Sequence, residues 1–302
     1  MVYMVEKCNI LFYTKAGVFL NMKTSEMNKM KISCLPVSLF GEICDGKMDI
    51  LQWAREAKVC GYNGIDISIM FLKNRTPTYL SKLRQGLQDI DMPIVMMTTY
   101  SDFTHPCPVQ RRRELEYLIA DVALASEIGI QYLRILAGQA HPEMGIEDGI
   151  GHVLDNFRKI AAYGEYYNVG LLFEDHAKPG AWEYFDFCYP PDIFLRICHG
   201  MRGSGIRLNF DTGNITAYGW DTMDVLPKVA DLVETVHISD MAEKGRFSPT
   251  AIGTGVVPNM EVFSFLKKNS FNGWLCIEEA SGQGMEGIKK AHDFVRKAWE
   301  DA

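Results

Sequence analysis

VGLLFED (169–175), GIRLNFDTGN (205–214), LVETVHISD (232–240) and GWLCIEEA (273–280) are four short apolar runs that end near a carboxylate or an imidazole: Glu174, Asp211, His237 and Glu278. Their residues suit parallel strands buried on both faces, and successive runs lie about one strand-plus-helix unit apart. Such groups at the C-terminal ends of successive strands converge on one point at the top of a (β/α)8 barrel. Three carboxylates and one imidazole form a hard, oxygen-rich donor set, which suits Mn²⁺, Mg²⁺ or Co²⁺ better than a closed structural zinc. The pattern predicts one divalent metal ion, manganese first, with Mg, Co or Zn as alternatives. A single carboxylate at a strand end is as often a helix cap as a ligand; the set of four carries the argument. Asp211 also has a capping reading through Thr212 and Gly213. Glu279 competes with Glu278, because strand alternation turns only one of two adjacent glutamates toward the barrel axis.

Outward from these runs, the chain from Met30 reads as eight repeats of strand then helix. Strands fall near 31–36, 64–68, 93–98, 131–136, 169–174, 206–211, 233–238 and 274–278. Helical patterns lie near 48–60, 78–90, 109–128, 147–167, 191–199, 222–229, 259–268 and 284–299. Gly61 and Gly129 stop helices and Pro108 starts one. Eight alternating units imply a parallel sheet closed into an α/β TIM barrel over residues 30–302. The rival, a doubly wound open sheet, lacks a GxGxxG after its first strand. The longest connections, 175–190 and 239–258, follow the fifth and seventh strands on the face where a barrel carries its active site. Residues 1–29 fit no strand–helix unit and are read as an N-terminal extension, partly disordered or set by the choice of start site.

Of the 302 residues, 47% are hydrophobic and 23% charged, which suits one large domain with a sizeable core. The net charge of −7 comes without a basic stripe beyond Arg111 to Arg113, so a nucleic-acid partner is not expected. No run of about 18 apolar residues spans a membrane, and the apolar segment 9–20, broken by Lys15, makes a poor signal peptide. The eight cysteines form no CxxC pair and several sit in apolar runs, as free thiols do in a reducing cytoplasm. A homo-oligomer is left open.

With the strings GYNGIDIS (61–68), YLRILAG (132–138), LLFEDH (171–176), NFDTGN (209–214), VHISD (236–240), GTG (253–255) and CIEEA (276–280) in this order, the chain resembles the sugar phosphate isomerase/epimerase superfamily over Lys31 to Trp299. These xylose isomerase-like barrels include ketose 3-epimerases, hydroxypyruvate isomerases, inosose dehydratases and endonuclease IV. The resemblance implies that Glu174, Asp211, His237 and Glu278 hold the metal. It further implies that Glu174 and Glu278 exchange a proton with the carbon beside the carbonyl of a small carbohydrate, through a metal-stabilised enediolate. That chemistry is sound on its own terms, since a chelated carbonyl acidifies its neighbour and a carboxylate on each face can move the proton. The expected activity is isomerisation or epimerisation of a sugar, keto-sugar or polyol. The alternatives are a lyase at the same site, as in inosose dehydratases and C-glycoside deglycosidases, or an inactive sugar-binding barrel.

Three positions depart from the ketose epimerases: Asn214 replaces a histidine, Gly180 a glutamate and Glu243 an arginine, with Arg246 only nearby. Endonuclease IV needs extra histidines at Asn214 and around Gly253 to Gly255, so phosphodiester chemistry is not expected. His141, after the fourth strand, is a candidate general base, because the C-glycoside deglycosidases have a histidine in a comparable place; a solvated loop histidine is the plain alternative. His176, two residues past Glu174 and thus on the same side of an extended run, is a candidate substrate contact. Arg134 is a candidate to point into the barrel, toward a ligand carboxylate or the substrate, with a structural salt bridge as the favoured plain reading. Asn214 and Arg246 are further candidate contacts. Trp182, in AWEYFDFCYPP (181–191), is read as part of an aromatic lid over a sugar ring or as rim packing. GTG carries no chemistry here; its glycines shape a turn.

Overall fold

The computed structural model describes residues 9–13, 19–23 and 30–302. Strands β1 (Asn9–Tyr13) and β2 (Phe19–Lys23) pair antiparallel, with Asn9 opposite Lys23 and Tyr13 opposite Phe19. This is no strand–helix unit; the expectation of disorder in the rest of 1–29 lies outside the described residues. Alternation begins with β3 (Lys31–Leu35), α1 (Phe40–Cys44) and α2 (Ile50–Val59), then β4 (Ile65–Ser68), α3 (Pro77–Ile90), β5 (Ile94–Thr98), α4 (Pro108–Ile128) and β6 (Tyr132–Ile135). It continues with α5 (Ile146–Tyr167), β7 (Gly170–Glu174), α6 (Pro191–Met201), β8 (Arg207–Asp211), α7 (Asn214–Tyr218) and α8 (Thr222–Val229). It ends with β9 (Val233–Ile238), α9 (Asn259–Lys268), β10 (Trp274–Glu278) and α10 (Gly284–Asp301).

The boundaries follow local chemistry. The Asp49 carboxylate accepts from Gln52 N–H at 2.8 Å and caps α2. Pro77 and Pro108 open α3 and α4, where a missing N–H costs nothing. Gly129, at φ 90°, closes α4 by donating to Ala125 and Ser126 carbonyls. The sequence pattern shows no sign of α1 and α7, which have five residues each; helices so short form only where tertiary contacts hold them.

Parallel ladders join the eight strands in the order β3-β10-β9-β8-β7-β6-β5-β4, an α/β TIM barrel nearly closed by hydrogen bonds. Between β3 and β4 side chains take over from the ladder. Asn63 donates its N–H to the Ile32 carbonyl at 2.9 Å and accepts from Ile32 N–H through Oδ1 at 3.0 Å. Below the C-terminal ends of the strands, Ser33 Oγ donates to Asp66 Oδ2 at 2.7 Å across the same seam. Alternation then sorts the strands. Phe173 and Phe210 turn out to the helices, where Phe173 meets Phe157 at 5.2 Å and Phe194 at 5.6 Å between ring centroids. Leu172, Met96 and Cys276 turn inward and fill the barrel axis. No helix among the described residues is long and apolar enough to cross a membrane.

Candidate metal centre

Glu174, Asp211, His237 and Glu278 stand at the C-terminal ends of β7, β8, β9 and β10, and each offers a ligand atom within 4.8 Å of all the others. Ladder register sets this up: Asp211 pairs with His237, and Glu174 pairs with Asn209 one inward position below Asp211. Asp211 has the capping role expected of it and still keeps one oxygen toward the cluster. Its Oδ1 accepts from Gly213 N–H, Asn214 N–H and Ser239 Oγ at 2.8–2.9 Å, capping the turn, while no such partner occupies Oδ2. Asp175 fixes the Asp211 backbone by accepting its N–H at 2.7 Å. The choice between the two glutamates falls to Glu278. Glu279 ties its N–H to the Leu35 carbonyl and its Oε1 to Ser281, so it closes the loop after β10.

The cluster is buried but internally incomplete. His237 Nδ1 lies 2.5 Å from Glu174 Oε1 and 3.0 Å from Glu278 Oε2, yet neither approach has hydrogen-bond geometry and both ring nitrogens are left without partners. Glu174 has Asn209 Nδ2 on Oε1 at 2.6 Å and the Arg134 guanidinium 2.9 Å from Oε2. Burial alone would raise the Glu174 carboxyl, but Arg134 and His237 outweigh it and hold the group well below the usual carboxylate range. Asp211 is pushed up to about 7 by burial and by Glu278 and Glu174. Burial works against charging His237, but the Glu174 and Glu278 carboxylates prevail and raise it well above an ordinary histidine. Three buried carboxylates beside one guanidinium are offset here only by a proton drawn onto His237 and another shared near Asp211, and burying so many charges is costly in a low-dielectric interior. A divalent ion would replace those protons and take the lone pair of a neutral His237. The donor set therefore fits a metal.

Above the cluster opens a cavity of about 660 Å³. Arg134, His176, Asp211, Asn214 and Glu278 all contribute to its polar wall. Burial lowers His176 to about 4, which keeps its imidazole neutral at pH 7. Three sequence candidates lie elsewhere. His141 is drawn aside by Asp102, with Nε2 2.8 Å from Oδ2, and packs edge-on against His105 and Tyr184. Trp182, in the loop after β7, is buried, and its neighbour Ala181 lines the cavity instead. Arg246 pairs in solvent with Glu243 at 2.8 Å, and Phe247 takes the wall position.

Other contributors escaped the sequence reading. Asn209 was legible, lying two residues before Asp211 on the same strand face; Tyr100 and Phe247 sit in loops without periodicity, and Phe40 opens the five-residue α1, too short to show one. The GTG segment also has a structural task. Asp240 accepts backbone N–H groups of Met241, Gly253, Gly255 and Val257 at 2.9–3.1 Å, folding the long loop after β9 back on itself. A Cβ on Gly255 would meet Met241 O and Asp240 Oδ1 at 2.2 and 2.3 Å, so only glycine fits.

Known proteins share this frame. The inosose dehydratase of Bacillus thuringiensis (strain Al Hakam) is 21% identical over 276 residues, covering 82% of this chain and 88% of its own. Among solved structures, the IOLI protein with a zinc atom superposes with a TM-score of 0.76 at 15% identity, over 90% of this chain and 99% of its own. A D-tagatose 3-epimerase-like protein gives 0.74 at 14% identity, over 90% and 98%. The family model for the xylose isomerase-like TIM barrel matches residues 54–298, most of the barrel and all four clustered residues. The chain therefore belongs to the xylose isomerase-like TIM barrel family.

Proposed function

We propose that the protein is a divalent-metal-dependent enzyme, with manganese as the working ion, that moves a proton at the carbon beside a carbonyl of a sugar, keto-sugar or polyol. The observation that carries this reading is the buried quartet with His237 unpartnered on both nitrogens. The zinc atom in the IOLI structure supports metal binding by this fold. A bound ion supplies Lewis-acid polarisation of the carbonyl. Glu278, with 23% of its side chain exposed at the cavity floor, is the carboxylate that takes the proton. Arg134, His176 and Asn214 orient the oxygens of the substrate. Glu174 returns the proton in an epimerisation; held by Asn209 and Arg134, it must release one of them to do so. Seven cysteines among the described residues are free thiols, which fits action in a reducing cytoplasm.

One observation favours a second reading, elimination. Glu278 alone of the two glutamates lines the cavity, and loss of a β-hydroxyl needs one base rather than carboxylates on both faces. The relatedness to inosose dehydratases points the same way. Incubation of the manganese-loaded protein with a panel of keto-sugars and keto-polyols in D₂O separates the outcomes. Epimerisation places deuterium beside the carbonyl, and elimination yields a product lighter by one water. Turnover that leaves this carbon unlabelled, as in a hydride shift, contradicts proton abstraction.

A further inference from the structure

The cavity is polar at one end only. Beyond the polar floor its wall is apolar: Leu35 ends β3, Val37 follows it and Phe40 opens α1, Met70 comes from the segment after β4, and Met241 and Phe247 from the loop after β9. Met70 and Phe247 keep 48% and 41% of their surface exposed on the wall of this one opening, and apolar side chains gathered around a cavity, unlike ones scattered singly, mark a binding surface. The wall is preformed. Phe40 packs edge-on against buried Phe71 with centroids 4.8 Å apart. Phe247 stands on a short loop closed by the Met241–Pro249 bridge and the Ala242 N–H to Ser248 O bond of 2.8 Å, below which Asp240 anchors the backbone.

Few polar groups are left to meet hydroxyls. Ser239 Oγ donates to Asp211, Lys178 Nζ is taken by the Glu183 carbonyl at 2.9 Å, and Tyr100 OH bonds Ser68 Oγ at 2.9 Å. What remains, the Arg134 guanidinium, His176 Nδ1 and the Asn214 amide, lies next to the clustered carboxylates. A free hexose carries hydroxyls on every side, and those turned to Leu35, Phe40 and Met70 would lose water without gaining a partner. A cavity of about 660 Å³ also sits in the upper half of the roughly 300–1,000 Å³ range that holds drug-sized ligands.

We infer that the substrate is a glycoside-like molecule whose oxygen-rich end meets the metal floor and whose other end is an apolar, aryl-sized substituent seated between Phe40, Met70 and Phe247. This rests on the proposed metal-dependent reading for the polar end. The ring and thioether side chains suit an aromatic group, which they contact edge and face.

Titration calorimetry of the full-length, manganese-loaded protein with phenyl and methyl β-D-glucosides, galactosides and xylosides tests it. For at least one sugar the phenyl compound should bind at least about tenfold more tightly than the methyl one, the scale expected from taking part of a ring out of water. Phe247→Ala and Val37→Ser should each shrink that preference while still binding about one Mn²⁺ per chain; metal content and cooperative thermal unfolding establish that they are folded. Equal affinities within every pair, or no binding by any member, overturn the inference. So does a dimer that dissociates in Phe247→Ala without any aryl preference, which assigns the rim to a second copy of the chain. If deuterium exchange on a ketose proceeds normally while no aryl preference exists, this inference alone fails. An aryl preference in a protein that binds no metal supports the apolar seat and removes the metal reading.

Discussion

Two buried polar layers lie one above the other inside the barrel. In the lower, Asp66 accepts from Ser33 Oγ at 2.7 Å and Met96 N–H at 3.1 Å, and Asn209 Oδ1 accepts from Thr235 Oγ1 at 2.7 Å. In the upper, His237 has no hydrogen bond, Glu174 Oε2 and Arg134 Nη1 face each other without completing one, and three carboxylates crowd together. Similar side chains at similar depth thus end differently. The lower layer is closed by its own partners, as buried polar groups in a stable core are. The upper layer is not closed by its own partners, which is what the proposed metal site requires.

The comparison breaks most sharply at Glu278. Glu278→Gln keeps an oxygen donor but loses the proton acceptor, so turnover should fall by roughly 10²- to 10⁴-fold while metal is partly retained. Steady-state assays paired with metal analysis check this, and full turnover would move the base role to His176. Next in size is Asp66. Burial raises its carboxyl to about 6, against roughly 3.9 in an unfolded chain, with His237, Ser33 and Met96 offsetting part of the effect. The folded state therefore holds this proton more tightly, and stability is lost as pH rises from about 4 to 6 and stays lost above. Asp66→Asn should stabilise the fold above pH 6 by up to about 3 kcal/mol, with the gain gone below about pH 4. Denaturant unfolding at several pH values, with metal content unchanged, distinguishes a core substitution from one that touches the site. Asn209 spans both layers: Asn209→Ala leaves Glu174 Oε1 and Thr235 Oγ1 without their partner, and metal affinity should drop by about 10- to 100-fold. Competition with a fluorescent chelator measures it.

The upper layer was legible because strands impose a period. Apolar runs with a polar residue at the end give the barrel, the clustering of the four side chains and the facing of His176 and Arg134, since inward and outward alternate every residue. Loops impose no such period. His141 follows β6 on the expected face, yet a carboxylate 39 positions earlier, Asp102, draws it out of the cavity. The aromatic lid expected at Trp182 and the cation at Arg246 give way to their neighbours Ala181 and Phe247, because loop side chains follow tertiary partners rather than spacing. Glu278 and Glu279 could be told apart only by the register of β10 against β3, which pairs Glu278 with Leu35.

The most direct test is the metal content of the upper layer itself. Protein purified with Mn²⁺ and passed through a desalting column should hold about one ion per chain by elemental analysis, and His237→Ala and Asp211→Ala should each hold close to none. Stoichiometric metal in both variants, or none in the parent chain at saturating Mn²⁺, would contradict the account.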